Sequence, residues 1–282
     1  MPQLWDLGTT RREPTVQRLV RPQPDTHIPA MTAITHPTIE AALTEIDAER
    51  EILVTEREAF RSLIRRVSEV AVETPQTTAT GTAVATTMPV QAPSSSLSEI
   101  RTAYRETVMA VPHYESEYGE SLRENLRVEV GGSLAEQLLD GDALTRPIYD
   151  AFLGAVRRAM DERRRVKQYV ERERDNLQRF DAALTEIESA VIEAGAELTS
   201  ASGTQSLSRI DARLATLQSR CEDLATDRQQ RVHDRPETTF DWIDGLGMFE
   251  YLYADLETTT PVLSAIASCL GTIRDHRRRC LR

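Results

Sequence analysis

Apolar residues recur at every seventh position along two long stretches of the chain. In the first, Ile39, Ile46, Leu53, Phe60 and Val67 form one line that opens just after Pro37, a residue suited to the first turn, and the spacing predicts a helix over residues 37–73. Its companion positions are apolar at the ends (Ala42, Leu43, Leu63, Ile64) and charged in the middle (Glu49, Arg50, Glu56, Arg57). The seam is therefore narrow, as in a helix laid against a partner helix rather than sunk in a core.

The second stretch is longer. Tyr149, Val156, Val170, Leu177, Leu184, Val191 and Leu198 fill one heptad position, broken only by Arg163. Phe152, Ala159, Val166, Phe180, Ile187 and Ala194 fill the other, broken only by Glu173. Thr145 and Pro147 mark the start, "TSASGTQS" at 199–206 reads as a turn, and Leu207, Ile210, Leu214, Leu217, Cys221 and Leu224 resume the period. The pattern predicts an antiparallel coiled-coil hairpin over residues 146–234, its first helix roughly 80 Å long.

Shorter elements fill the remainder. Ser96 and Glu99 have capping-box spacing for a helix carrying Ile100, Tyr104, Val108 and Val111, which Pro112 stops. A segment with Leu122, Leu126 and Val130 follows, from Tyr114 to Gly131, and Ser133 and Glu136 cap a short helix ending at Gly141. "FDWIDGLGMFEYLYADL" reads as a helix interrupted near Gly245 and Gly247, and Thr260 and Pro261 open a last helix that turns Leu263, Ile266, Leu270 and Ile273 inward. Pro236 ends the hairpin. Residues 1–36 are proline-rich without a helical period, and 74–96 are uncharged and made mostly of Thr, Ala, Pro and Ser. The expected organisation is a disordered leader (1–36), an amphipathic helix (37–73), a linker (74–96) and a helical bundle (97–282). The fold class is all-α, an elongated helical bundle built on the long hairpin.

Composition agrees with that class: aromatics are 5% against 40% hydrophobic residues overall, which suits aliphatic helix seams better than a sandwich or an α/β enzyme. Lys167 is the sole lysine beside many arginines, and the net charge is -11. That charge disfavours nonspecific contact with nucleic acid or an anionic membrane. Lysine depletion, abundant Thr and Glu and the acidic balance point to a salt-adapted cytoplasm. Cys221, Cys269 and Cys280 are too few and scattered for a disulfide framework. The longest apolar run, "PVLSAIASCLGTI" at 261–273, is short of the roughly 20 residues a membrane span needs. The N-terminus lacks a signal core. The expected location is cytoplasmic.

Few residues carry candidate chemistry. The stretch "YRETVMAVPHYESEYGESL" at 104–122 concentrates Tyr104, Tyr114, Tyr118, His113 and glutamates, and His113 and Glu117 have the i, i+4 spacing of a metal or acid/base pair. No second such pair lies nearby, so the stretch reads as a helix corner with tyrosines packed at the break. Cys221 and His233 are too far apart along one helix to share an ion, which leaves His276 and Cys280 as a bare pair. Arg158, Arg165, Arg172 and Arg179 form a basic line on the outer face of the long helix. Asp161 and Asp175 precede Arg165 and Arg179 by four positions and are expected to pair with them. Arg277, Arg278 and Arg279 lie at the C-terminal helix end, where cations meet the negative dipole. These seven arginines are the candidate interaction residues. No phosphate-binding, dinucleotide, nucleophile-elbow or zinc signature occurs, so no cofactor, metal or catalytic residue is expected.

At "YRETVMAVPHYESEYGESL" and "YLYADLETTTPVLSAI" the chain resembles a helical family from halophilic archaea known as a domain of unknown function. The resemblance runs from about residue 36 to the end, with linker and leader outside it. It implies a haloarchaeal cytoplasmic protein and brings no catalytic residues. The function expected is that of a non-enzymatic helical interaction or scaffold protein, docking a protein partner or a second copy along its seams. A transcription-linked regulator using the arginine-rich surfaces is the alternative, with nucleic acid a disfavoured partner, and a hydrolase or metal-dependent enzyme comes third.

Overall fold

The computed structural model describes residues 34–72, 95–233 and 247–282, and these form an all-α fold. The leader up to residue 33, most of the linker, and the Pro236 and Gly245 breaks lie outside the described residues. Among the described residues no helix is long and apolar enough to cross a membrane.

Two long helices organise the rest. Helix α1 (Pro37–Val67) begins with its proline in the first turn, where no amide donor is missed, and ends before the expected residue 73. Helix α6 (Arg146–Ser200) runs 55 residues without a break, about 80 Å at 1.5 Å per residue. Thr145 precedes it without a side-chain cap bond, and its heptad positions other than Arg163 are buried, with Leu153 and Ala155 buried beside them. The turn shrinks to Ala201, Ser202 and Gly203, with Gly203 at φ 91°, a left-handed value that favours glycine. Helix α7 (Thr204–His233) then returns along α6. Its direction is written in the ion pairs: Arg213 meets Glu197, Arg220 meets Glu186 and Arg179 meets Asp227, so rising numbers on one helix match falling numbers on the other.

The connection between α1 and α6 departs from the sequence reading. Helix α2 (Ser95–Arg105) takes in Ser96 as a buried first-turn residue rather than a cap. It ends before Pro112 and passes into a 3-10 turn, Val108–Ala110, so the proline is not what stops it. After one turn at α3 (Tyr114–Glu117), Ser121 and Glu124 form a capping box that opens α4 (Leu122–Val130). The expected box at Ser133 does not form, because α5 (Gly132–Asp140) starts two residues earlier, with Gly131 in the cap position. Two helices close the chain, α8 (Met248–Leu252), entered from Gly247, and α9 (Pro261–Cys280).

Two hydrophobic cores sit side by side along the α1–α6 seam. One joins Ile39, Ile46 and Leu53 of α1 to Val166 through Leu198 of α6, with α7, α8 and α9. The other joins Phe60, Leu63 and Val67 to Tyr149 through Ala159, with α2, α4 and α5. Full burial of each Leu, Ile or Phe is worth about 1.5–3 kcal/mol, so both cores stabilise the seam substantially. Between Leu53 and Phe60 stands Glu56, and between Ala159 and Val166 stands Arg163. The gap between the cores is polar, and it is where the chain's chemistry gathers.

Candidate functional site

Arg163, the break in the first heptad line, is the floor of this gap. Its Nε lies 2.5 Å from Glu56 Oε2 of α1, and its Nη2 and Nη1 lie 2.6 and 3.1 Å from the two oxygens of Glu129 on α4. The guanidinium also covers the Phe60 ring at 4.7 Å from its centroid. Two carboxylates on one cation hold Arg163 protonated well above its ordinary range, although burial opposes this. The tyrosine-rich corner closes over the same group: Tyr118 donates its hydroxyl to Glu56 Oε1 at 2.5 Å, and His113 Nε2 stands 3.3 Å from that oxygen. Behind it Tyr104 donates to Asn125 Oδ1 at 2.7 Å, and Asn125 donates to Glu120 Oε2 at 2.9 Å.

Above this floor opens a cleft of about 490 Å³. Six glutamates line it, Glu49 and Glu56 of α1, Glu117 of α3, Glu120 beside it, Glu129 of α4 and Glu162 of α6, against two arginines, Arg158 and Arg163. Ile52, Leu53, Val128 and Ala159 supply apolar wall, and Tyr118 and Tyr251 supply aromatic wall. Val128 is 65% exposed on the rim, an uncommon place for a large aliphatic side chain.

Glu49 is the responsive group. Its carboxyl is pushed up to about 7, chiefly by burial, with Glu56 and Glu117 adding repulsion and the hydroxyl of Tyr251, 3.1 Å away, pulling the other way. Burial likewise raises Glu129, against the pull of Arg163. The Tyr118 and Tyr251 hydroxyls are pushed well up, first by burial and then by Glu56 and Glu49 respectively, and therefore act as donors. Tyr114 is pushed up to about 12 by burial and by Glu120 and Glu115. At neutral pH the cleft can accept a cation and exchange a proton at Glu49, while the phenol protons of Tyr118 and Tyr251 are held by Glu56 and Glu49.

The sequence-predicted arginines lie mostly elsewhere. Arg158 alone of the seven lines the cleft. Arg165 and Arg172 are exposed and join no ion pair among the described residues. Arg179 pairs with Asp227 of α7 at 2.8 Å, not with Asp175, and Asp161 pairs with Arg164 at 3.0 Å, not with Arg165. The expected intrahelical pairs are thus corrected: a nearer guanidinium and a cross-helix carboxylate win. Arg277 is bound to Asp211 at 2.8 Å and to Gln218 at 2.9 Å, Arg278 pairs with Asp275, and Arg279 is exposed. No group of three or more His, Cys, Asp or Glu gathers closely enough to hold a metal among the described residues. Cys221 meets Cys269, Sγ to Sγ 3.7 Å, both buried, while the His276 ring packs over Gly195 of α6.

Glu129, Glu162 and Tyr251 of the cleft were not singled out by sequence, and Glu49 entered only as one of the charged residues in the middle of the α1 seam. A usable signal existed, since the charged middle of the α1 seam and the Arg163 break fall at one level of the α1–α6 pair. With that geometry in view, the family model described as a domain of unknown function, DUF7260, matches residues 37–277. The chain belongs to that family. The DUF7260 match contains every cleft residue and leaves out Arg278 and Arg279 at the C-terminus. No curated protein and no solved structure matches the chain.

Proposed function

We propose that this DUF7260 protein is a non-enzymatic helical interaction protein of a salt-adapted cytoplasm, and that it receives its protein partner at the cleft between α1, α4, α6 and α8. The single observation carrying this reading is the cleft's composition: a 490 Å³ opening between two cores, walled by aliphatic and tyrosine side chains and rimmed by excess carboxylate. An apolar residue at the lip, Val128, gives a partner a first contact, and the carboxylates give orientation and steering. The lysine-poor, acidic composition supports the haloarchaeal origin.

Glu49 supports a second reading. A partly buried carboxyl pushed up to about 7 beside a phenol has the properties of a general base, so an acid/base enzyme is the competing proposal. A nucleic-acid regulator is supported by the exposed Arg158, Arg165, Arg172 and Arg279, and the net charge of -11 opposes it.

Site-specific crosslinking tests the interaction reading. A photoreactive phenylalanine analogue at Val128 is expected to give discrete protein adducts in an extract of the native host at high salt, and the same residue at Ile192, 60% exposed on α6, is expected to give none. Adducts should vanish when Glu117→Arg and Glu162→Arg reverse the rim. Equal labelling from both positions, or labelling indifferent to the reversal, would remove the cleft as the contact point.

A further inference from the structure

We infer that the group the cleft receives is an aliphatic cation, an ammonium or guanidinium carried on a flexible hydrocarbon stem. The inference rests on the cleft being the contact point and names the chemistry that fits it. Its geometry has three parts. The floor is occupied, because Arg163 is already shared by Glu56 and Glu129, so an incoming anion meets no free cation there. The walls beyond the floor carry Glu49, Glu117, Glu120 and Glu162 against the single guanidinium of Arg158, so negative charge is left over. Between these charges run Ile52, Leu53, Val128 and Ala159, with the rings of Tyr118 and Tyr251, which match a hydrocarbon stem and the face of a cation.

The spacing of the carboxylates decides against a metal ion. Although six glutamates line the cleft, no three acidic, histidine or cysteine groups gather into a metal-sized set among the described residues. Charge spread over 490 Å³ is complementary to an extended organic cation and not to a point charge. A lysine or arginine side chain of a protein partner and a free polyamine share this chemistry.

Binding is linked to a proton. Glu49 accepts from Tyr251 of α8 and feels Glu56 of its own helix and Glu117 of α3, and it shares the cleft with Glu120, Glu129 of α4, and Arg158, Glu162 and Arg163 of α6. Burial and the neighbouring carboxylates hold it partly protonated at neutral pH. A cation entering beside it favours the ionised form, so the bound state releases a proton.

Calorimetry on the full chain provides the test, with spermidine and a capped pentapeptide carrying two arginines as probes, and an uncharged diol of similar length as control. Saturable one-to-one binding of at least one cationic probe is expected, with none for the diol. Glu49→Gln combined with Glu162→Gln should weaken it by about tenfold or more, since each substitution removes a charge-assisted contact. Titrations near pH 7 in two buffers of different ionisation enthalpy should show proton release in the native chain and none after Glu49→Gln. Tighter spermidine binding would assign the cleft to polyamines and tighter peptide binding to a basic protein segment, and either supports the inference. Failure of both probes, or affinity unchanged in a variant that retains its helicity, overturns it. If both probes fail while Val128 still gives its discrete adducts, the cation is wrong and the contact point stands.

Discussion

Arg228 of α7 donates from Nη2 to Glu173 Oε1 of α6 at 2.8 Å, and both side chains are shut off from water, 4% and 0% exposed. Tyr253 donates to the same oxygen at 2.6 Å, and the Arg228 guanidinium lies over the rings of Phe180 and Phe249. Glu173 is the one charged residue in the second heptad line, and this contact explains its place there. Breaking such a pair strands a buried charge at a cost of about 3–5 kcal/mol, whereas replacing both partners with apolar groups removes the desolvation penalty too. Glu173→Ala should therefore lower stability by about 3–5 kcal/mol in urea melts. Glu173→Leu with Arg228→Met and Tyr253→Phe should recover most of the loss. A triple variant as weak as the single one would show that packing, not charge, sets the cost.

The Glu49 carboxyl makes stability depend on pH in an unusual direction. Because its folded value of about 7 exceeds the ordinary 4.5, the folded state holds more protons than the unfolded state between those limits. Stability is fullest below about 4.5 and is lost as pH rises through about 7. The upward shift of Glu129 acts in the same sense. At about 1.36 kcal/mol per pKa unit, and discounting for a cleft open to water, Glu49 accounts for about 1–2 kcal/mol. Glu49→Gln should gain that much at pH well above 7 and match the native chain at pH near 4. Thermal melts by circular dichroism across that range check it, and a variant less stable at high pH would contradict the assignment.

The long helices were readable because heptad lines report which face of a helix is buried, and α1, α6 and α7 bury those faces, whereas α9 buries Val262, Ala265 and Cys269 beside Ile266 and Ile273 and leaves Leu263 and Leu270 half-buried. What the lines do not report is why a break is tolerated. Arg163 and Glu173 looked like defects, yet each is matched by charge from a distant element, Glu56 and Glu129 in one case and Arg228 in the other. The acidic cleft follows from the first match and needs four elements to meet, a relation no local period carries. Helix ends were the weakest reading: capping spacing at Ser96 and Ser133 was outvoted by packing, and Ser121 with Glu124 formed the box instead. The expected intrahelical pairs failed because flexible arginines have several carboxylates in reach: Arg179 crosses to Asp227 of α7, and Asp161 is taken by Arg164 one residue before Arg165.

Two glycines should respond in opposite ways to the same substitution. At Gly195 of α6 an added Cβ would stand 2.5 Å from the His276 ring of α9, too close for any carbon, so Gly195→Ala must displace that half-buried ring. A loss of about 1–3 kcal/mol is expected from such overpacking. At Gly271 of α9 nothing lies within 4 Å, and the residue is helical and exposed. There Gly271→Ala should gain about 0.5–1 kcal/mol from helix propensity alone. Urea melts of the two variants decide the matter, and equal effects would mean that α9 does not sit against α6 at His276.

Salt provides the last test, because the chain's charges act in two opposed ways. Cross-helix and intrahelical ion pairs are numerous but mostly exposed, as with Arg123–Asp140 at 46% and 61% and Arg209–Glu197 at 76% and 42%, and exposed pairs are worth about 0–1 kcal/mol each. Screening them costs little. The buried Arg163 and Arg228 groups, at 12% and 4% exposure, are screened far less. Against this stands an excess of eleven negative charges, part of it concentrated at Glu49, Glu117, Glu120 and Glu162 in the cleft, whose repulsion salt relieves. At molar ionic strength the Debye length falls to roughly 3 Å while burial of the aliphatic seams persists. Helicity and melting temperature should both rise between about 0.1 M and about 2 M KCl. Thermal melts followed by circular dichroism across that series measure the balance, and a melting temperature that stays flat or falls would mean that the exposed pairs outweigh the repulsion and would remove the salt-adapted cytoplasm from the proposal.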